Sequence, residues 1–322
     1  MRQYIIKRVL QMIPVLFGVS VIIFILFTFA PGNVVTNMIM QNPKMAPEKI
    51  AQLRHIYHLD RPRIVQYGYW LADAIRGNLG DSFKYKEPVT TVLNTYIWNS
   101  FYLALPSFIV AVILSIPIGV LSATKQYSAF DYTFTVLALA GISIPSFFLG
   151  MLLIKWLAVG IPLFPVGGMF TTGSKMIGIA KFGDMMRHMF LPFLVLTFGS
   201  MATLMRYTRT SMLEVIRQDY VRTARAKGLR EKVVIYKHAL RNGLIPVVTL
   251  LGMWMPALFS GAIITESLFL WPGIGPVSMN AINNRDYPLL MGINMFLAAL
   301  TLIGNLLADI TYAVVDPRIR FK

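Results

Sequence analysis

Six stretches without a single Asp, Glu, Lys or Arg limit the fold more than any other feature of this sequence. They span residues 9–43, 88–124, 132–154, 188–205, 242–265 and 287–308. A helix that crosses the hydrocarbon of a bilayer needs roughly 20 mostly apolar residues, and each stretch supplies about that many or more. The first two exceed one crossing, so helices are expected at about 9–30 and 100–123, with loop or interfacial chain making up the rest. Backbone amides inside lipid must be satisfied within the segment, which makes these crossings helical. The expected class is therefore all-α, a polytopic membrane protein with six transmembrane helices. Hydrophobic residues make up 56% of the chain and charged ones 14%, against about 25% charged in soluble domains.

The charges lie between the stretches and set the orientation. Residues 206–241 carry ten basic side chains (Arg206, Arg209, Arg217, Arg222, Arg225, Lys227, Arg230, Lys232, Lys237, Arg241) and three acidic ones (Glu214, Asp219, Glu231). Short cytoplasmic loops collect Lys and Arg, so this loop is expected in the cytosol. Arg2, Lys7 and Arg8, the turn at Lys125, and Arg318, Arg320 and Lys322 fall on the same side if six helices alternate, which puts both termini in the cytosol. The net charge of +16 is then mostly a topology signal, and nucleic acid is not an expected partner. The first apolar run continues to Ala30 with no small-residue cleavage site after it, so it reads as a retained helix. Between the first and second crossings lies a loop of more than sixty residues, expected outside the cytosol and partly folded. Helical apolar spacing recurs there at Ile50, Leu53 and Tyr57, and again at Tyr69, Leu71 and Ala72. The chain divides into residues 1–98, the first helix with this folded extracytoplasmic loop, and 99–322, a five-helix core that includes the cytoplasmic loop 206–243.

Several chemistries lack the residues they need. With no cysteine there is no disulfide, thiolate metal site or Cys nucleophile. The closest string to a phosphate cradle, Gly168 to Lys175, has Ser174 where the lysine belongs. His55 and His58 read as surface histidines and no metal site is expected. Lys155 reads as a snorkelling side chain. Asp309, four residues after Asn305 on one helix face, is the intramembrane acid, and a buried ion pair with Arg206 or Arg209 is expected. A membrane enzyme would need a convergent nucleophile or metal constellation, and a proton-coupled carrier a chain of buried acids.

Residues 219–229 carry the strongest signal. Asp219 is placed to cap a short helix, Ala224 and Ala226 keep one side small, and Gly228 supplies a left-handed stop. A second helical stretch covers 231–240, so the loop is expected to form a compact knob. This segment resembles the coupling loop of importer permeases of the ATP-binding-cassette class. Within that class Tyr220-Val221-Arg222-Thr223-Ala224-Arg225-Ala226-Lys227-Gly228-Leu229, then His238-Ala239-Leu240-Arg241-Asn242 and Ile245-Pro246, are similar to the oligopeptide/dipeptide branch. Other marks of that branch are Ala30-Pro31-Gly32, Gly77-x-Leu79-Gly80-x-Ser82, Ser143-x-Pro145-x-Phe147, Glu266-x-x-Phe269-x-Trp271-Pro272-Gly273-Ile274-Gly275, Arg285-Asp286-Tyr287-Pro288, Asn305-Leu306-x-x-Asp309 and Asp316-Pro317-Arg318-Ile319-Arg320.

The resemblance implies a type I importer fold and a transport subunit that is not itself an enzyme, seated in the inner or plasma membrane of a prokaryote among its lipids. It implies a second homologous permease, two cytosolic ATPases that use ATP and Mg, and an extracellular or periplasmic solute-binding protein that delivers peptide. No cofactor is implied on this chain. The same branch also moves nickel and other small solutes, and no residue of the substrate path follows from it. Tyr220, Thr223, Ala224, Arg225, Ala226, Gly228 and Leu229 are implied as the ATPase-coupling residues.

Overall fold

The computed structural model describes residues 2–32 and 34–315. Asn33 and the basic C-terminal residues Arg318, Arg320 and Lys322, with the Asp316-to-Arg320 signature, lie outside the described residues. Helix α1 (Arg2–Phe29) is followed by three shorter helices in the long loop, α2 (Val34–Gln41), α3 (Pro47–Ile56) and α4 (Arg63–Ile75). The last two match the apolar spacing of the sequence.

Helix α5 (Val89–Thr124) begins well before residue 100, so the 98/99 division lies inside a helix. Its first turns are held by an apolar cluster in which Val89, Val92 and Leu93 pack on Leu289, Leu290 and Ile293, contacts a sequence reading by hydropathy does not see. The main packing pair of the bundle joins α5 to α8 (Gly178–Ile216) through small residues. Ser100, Ser107, Ala111, Ser115, Gly119 and Ser122 are all buried along α5. A Cβ on Gly119 would lie 2.7 Å from Thr208 Cβ, so the backbones approach as closely as they do only with glycine there.

Between α5 and α8, helix α6 (Ala129–Ser143) stops before Pro145, which pushes Ile144 into extended backbone with ψ 121°. The chain resumes as α7 (Ser146–Leu153) and a π-helix (Ile154–Gly160), turned by 102° from α6. Lys155 lies exposed in that π-helix. After α8 come α9 (Asp219–Ala226), α10 (Glu231–Val233), a second π-helix (Val234–Ala239) and α11 (Leu240–Gly243). The next apolar stretch is broken into α12 (Ile245–Trp254), α13 (Ala257–Ser260) and α14 (Ile263–Leu268), with Pro256 and the left-handed Gly261 (φ 72°) at the breaks. Helices α15 (Ile274–Asn283) and α16 (Tyr287–Val315) complete the described chain.

Among the described residues five helical segments, with α12 to α14 counted as one, are long and apolar enough to cross a membrane, and the bent pair α6/α7 makes a sixth crossing when counted as one span. Contacts show how α1, α5 and α16 run relative to one another. The starts of α5 and α16 share one cluster, while the start of α1 meets the end of α16 through Arg8 and Asp309. The knob at α9 packs on the end of α5, so it shares the Arg8 end of the bundle, and the long loop occupies the other.

Candidate functional site

At the Arg8 end, residues 219–243 fold as a knob on the tips of α5 and α8. Val221 and Ala224, three apart on α9, point inward and join Val120, Ala123, Met212, Val234, Ile235 and Ala239 in one cluster. Ala224 is 6% exposed, which corrects its place among residues offered to a partner: its methyl is spent inside the chain's own core because α9 is amphipathic and only one face reaches solvent. Tyr220, Thr223, Arg225, Ala226, Gly228 and Leu229 are exposed and form the outer surface of the knob. Gly228 has φ 74°, as its left-handed role requires, and a Cβ there would meet nothing within 4 Å. The cap differs from expectation. Gln218 is the N-cap, and Asp219 starts the helix, where its charge favours the helix N-terminus while its carboxyl meets Arg222 at 3.5 Å. Arg225 donates to both oxygens of Glu231 at 3.2 and 2.8 Å, bracing α9 against α10 across the glycine stop. That hydrogen-bonded guanidinium holds the Glu231 carboxyl below the usual carboxylate range.

The expected pairing of Asp309 with Arg206 or Arg209 does not form. Asp309 meets Arg8 at 3.2 Å, because the end of α16 neighbours the start of α1 and not α8. Arg209 makes a fork on Asp131, Nε to Oδ1 at 2.6 Å and Nη2 to Oδ2 at 2.8 Å. Asp131 also accepts from the Tyr127 amide at 3.0 Å and from Thr135. Arg206 is exposed and lies over the Tyr207 ring. The signal for Asp131 was in the sequence: Ser128-x-x-Asp131 opens an apolar run, and Ser128 Oγ does accept the Asp131 amide.

At the loop end, three of the signature motifs meet. Asp286, fully buried, accepts from Ser82 Oγ at 2.6 Å and from the amides of Lys84 and Leu289, so it caps α16 and anchors the loop together. The Tyr287 hydroxyl donates to the Pro31 carbonyl at 2.7 Å. Beside this junction is a cavity of about 980 Å³, lined by Phe24, Phe27, Trp70, Asp73, Asp81 and Arg61 among others. His55 pairs with Asp60 at 2.9 Å, a partner not anticipated, and holds that carboxyl below its usual range, while His58 stacks on Tyr69. Among the described residues no group of three His, Cys, Asp or Glu is placed to hold a metal ion.

Glu266 opens one of the signature motifs, yet the sequence reading gave it no role of its own, since it closes an apolar stretch from just outside it. It is 1% exposed. Oε1 accepts the Ala262 amide at 3.2 Å and Oε2 accepts the Gly275 amide at 2.9 Å. Ser100 Oγ accepts the Ile274 amide, so Glu266 and Ser100 together cap α15. The neighbouring Gly273 and Gly275 are required by space: a Cβ on Gly275 would lie 2.8 Å from Glu266 Oε2, and one on Gly273 would strike both Glu266 and Ser100.

Known proteins resemble this chain in sequence and in fold. Residues 115–321 match the family described as binding-protein-dependent transport system inner membrane component, and residues 1–98 match its N-terminal region. The chain belongs to that family. The permease is 41% identical over 322 residues to the oligopeptide transport system permease protein AppB of Bacillus subtilis (strain 168), covering 100% of both chains. It is 39% identical over 340 residues to the dipeptide transport system permease protein DppB of Escherichia coli (strain K12), again covering 100% of both. A chain of the MetNI methionine ABC transporter, solved in inward-facing conformations, superposes with a TM-score of 0.56 at 15% identity, over 70% of the permease and 97% of that chain. At that identity the likeness is one of fold alone.

Proposed function

We propose that this permease forms half of the translocation pathway of an ATP-driven importer of peptides in the inner or plasma membrane of a prokaryotic cell. A second homologous permease supplies the other half, two cytosolic ATPases bind and hydrolyse ATP with Mg, and an extracellular solute-binding protein delivers the peptide to the loop end. The full-length identity to oligopeptide and dipeptide permeases carries the reading. The knob geometry supports the coupling role, since Tyr220, Thr223 and Leu229 are exposed on a unit braced from beneath by Val221 and Ala224.

The test substitutes the outer surface without touching the packing. Tyr220→Glu and Leu229→Glu are expected to leave insertion intact, to abolish peptide uptake and to remove the ATPase from the purified complex. Lys232→Ala, exposed on α10, should change neither. Retained ATPase with both Glu variants, together with loss in Lys232→Ala, would instead identify the knob as a basic loop held on anionic headgroups.

Orientation has its own test. The chain lacks cysteine, so single-cysteine variants report without background. Lys44→Cys, Ser174→Cys and Asn284→Cys are expected to react with an impermeant maleimide on intact cells, whereas Lys125→Cys and Lys227→Cys should be protected until the membrane is opened. All five positions are exposed. The reverse pattern would invert the topology.

A further inference from the structure

Helix α4 belongs to the long loop by sequence, yet its contacts place it beside the membrane-crossing part of α1. Tyr67 Oη lies 2.8 Å from Ser20 Oγ, and its ring stands edge-on to Phe17 and Phe24. Trp70 packs on Phe24 as well. Arg63, the first residue of α4, donates to the Thr28 carbonyl at 3.0 Å, with its guanidinium over the Phe29 ring.

Helix α1 serves as a depth gauge, because its apolar span ends at Phe29. At a rise of about 1.5 Å per residue, Phe24 lies roughly 7 Å and Ser20 roughly 13 Å inside that end. The side chains α4 sends to α1 therefore lie at hydrocarbon depth, and Arg63 lies at the edge, where its head reaches the interface.

The faces of α4 sort by chemistry in the same sense. Gln66, Tyr69, Trp70 and Asp73 line the 980 Å³ cavity. Tyr67 and Trp70 meet α1. The remaining face carries Ile64, Val65, Gly68, Ala72 and Ile75, all exposed, with Ile64 at 80% and Ile75 at 78%. That face has no charged residue, although Arg63 begins the helix and Arg76 follows its last residue. An isoleucine pair this exposed on a helix anchored at hydrocarbon depth requires an apolar surrounding.

We propose that α4 lies within the lipid leaflet at the loop end of the permease, with Ile64, Val65 and Ile75 in contact with acyl chains. Helix α4 is thus a membrane-embedded part of the loop that forms one wall of the cavity, while the segment around Lys44 stays in water. The assignment to the outer leaflet rests on the proposed orientation; the depth itself does not, and the two fail separately, since the cell-labelling experiment reads only sidedness.

The test attaches a nitroxide to Ile64→Cys and Ile75→Cys in the transporter assembled with its native subunits and reconstituted in bilayers of phosphatidylethanolamine and phosphatidylglycerol. Lys44→Cys is the water-exposed control. Collision with oxygen, which concentrates in hydrocarbon, is compared with collision with a water-soluble nickel chelate. Both test positions should show an oxygen-to-nickel ratio at least several-fold above that at Lys44, with a mobile label. A ratio equal to the control puts α4 in water and overturns the proposal. Exclusion of both reagents with an immobilised label overturns it too, by showing that another protein subunit covers this face. Because both side chains are about four-fifths exposed, labelling removes little packing, and peptide uptake by each variant confirms that it is folded.

Discussion

Glu266→Leu is expected to remove most folded, membrane-extracted permease, the largest loss of any single change considered for this chain. The substitution puts an apolar side chain of similar length in place of the carboxylate and strips away the acceptor of two buried donors, the amides of Ala262 and Gly275. Each buried donor left without a partner costs roughly 1–3 kcal/mol. The effect reaches beyond the site, because the same carboxyl ties the broken end of the apolar stretch at α14 to the start of α15, the helix start that Ser100 of α5 also caps. Glu266→Gln should be milder, since its amide keeps one acceptor oxygen but turns an NH₂ group toward a donor. Gly273→Ala should resemble Glu266→Leu, because its methyl would occupy the space held by Glu266 and Ser100. The measurement is monodisperse yield and thermal midpoint by fluorescence-detected size exclusion. Wild-type stability in Glu266→Leu would show that these hydrogen bonds do not hold the junction.

Asp131→Ala is expected to destabilise the permease by about 3 kcal/mol, as removal of one member of a buried pair does. Asp131 is nearly inaccessible, and its removal leaves the Arg209 guanidinium without the forked partner at 2.6 and 2.8 Å. It also releases the Tyr127 amide, held in a left-handed turn (φ 64°) between α5 and α6. Arg209→Ala should cost a similar amount by stranding the carboxylate. The double variant should cost distinctly less than the sum of the two, and strict additivity would show that the pair is not coupled. Exchange of the two charges should fail to rescue, because arginine at 131 cannot accept the Tyr127 amide.

What the sequence determined by itself was whatever is set by local composition. Charge-free runs forced helices, since lipid offers backbone amides no other partner, and the spacing of Ile50, Leu53 and Tyr57 and of Tyr69, Leu71 and Ala72 located two helices of the long loop. The stop at Gly228 was legible because a left-handed backbone selects glycine wherever it occurs. The family, too, was legible, since its motifs are contiguous. Only the tertiary structure decided which side chains face one another. Asp309 found Arg8 because α1 and α16 are neighbours, 301 residues apart in sequence, and Arg209 found Asp131 because α8 lies on α6. Ala224 turned inward because the knob folds onto α5 and α8, a contact that residues 219–229 alone do not specify. Glu266 looked like the polar edge of an apolar stretch, and became a buried cap once the chain returned from Gly273 to Gly275 to enclose it. Secondary structure responds to nearest neighbours along the chain, whereas ion pairs, caps and burial depend on helix adjacency, which the whole packed bundle sets at once.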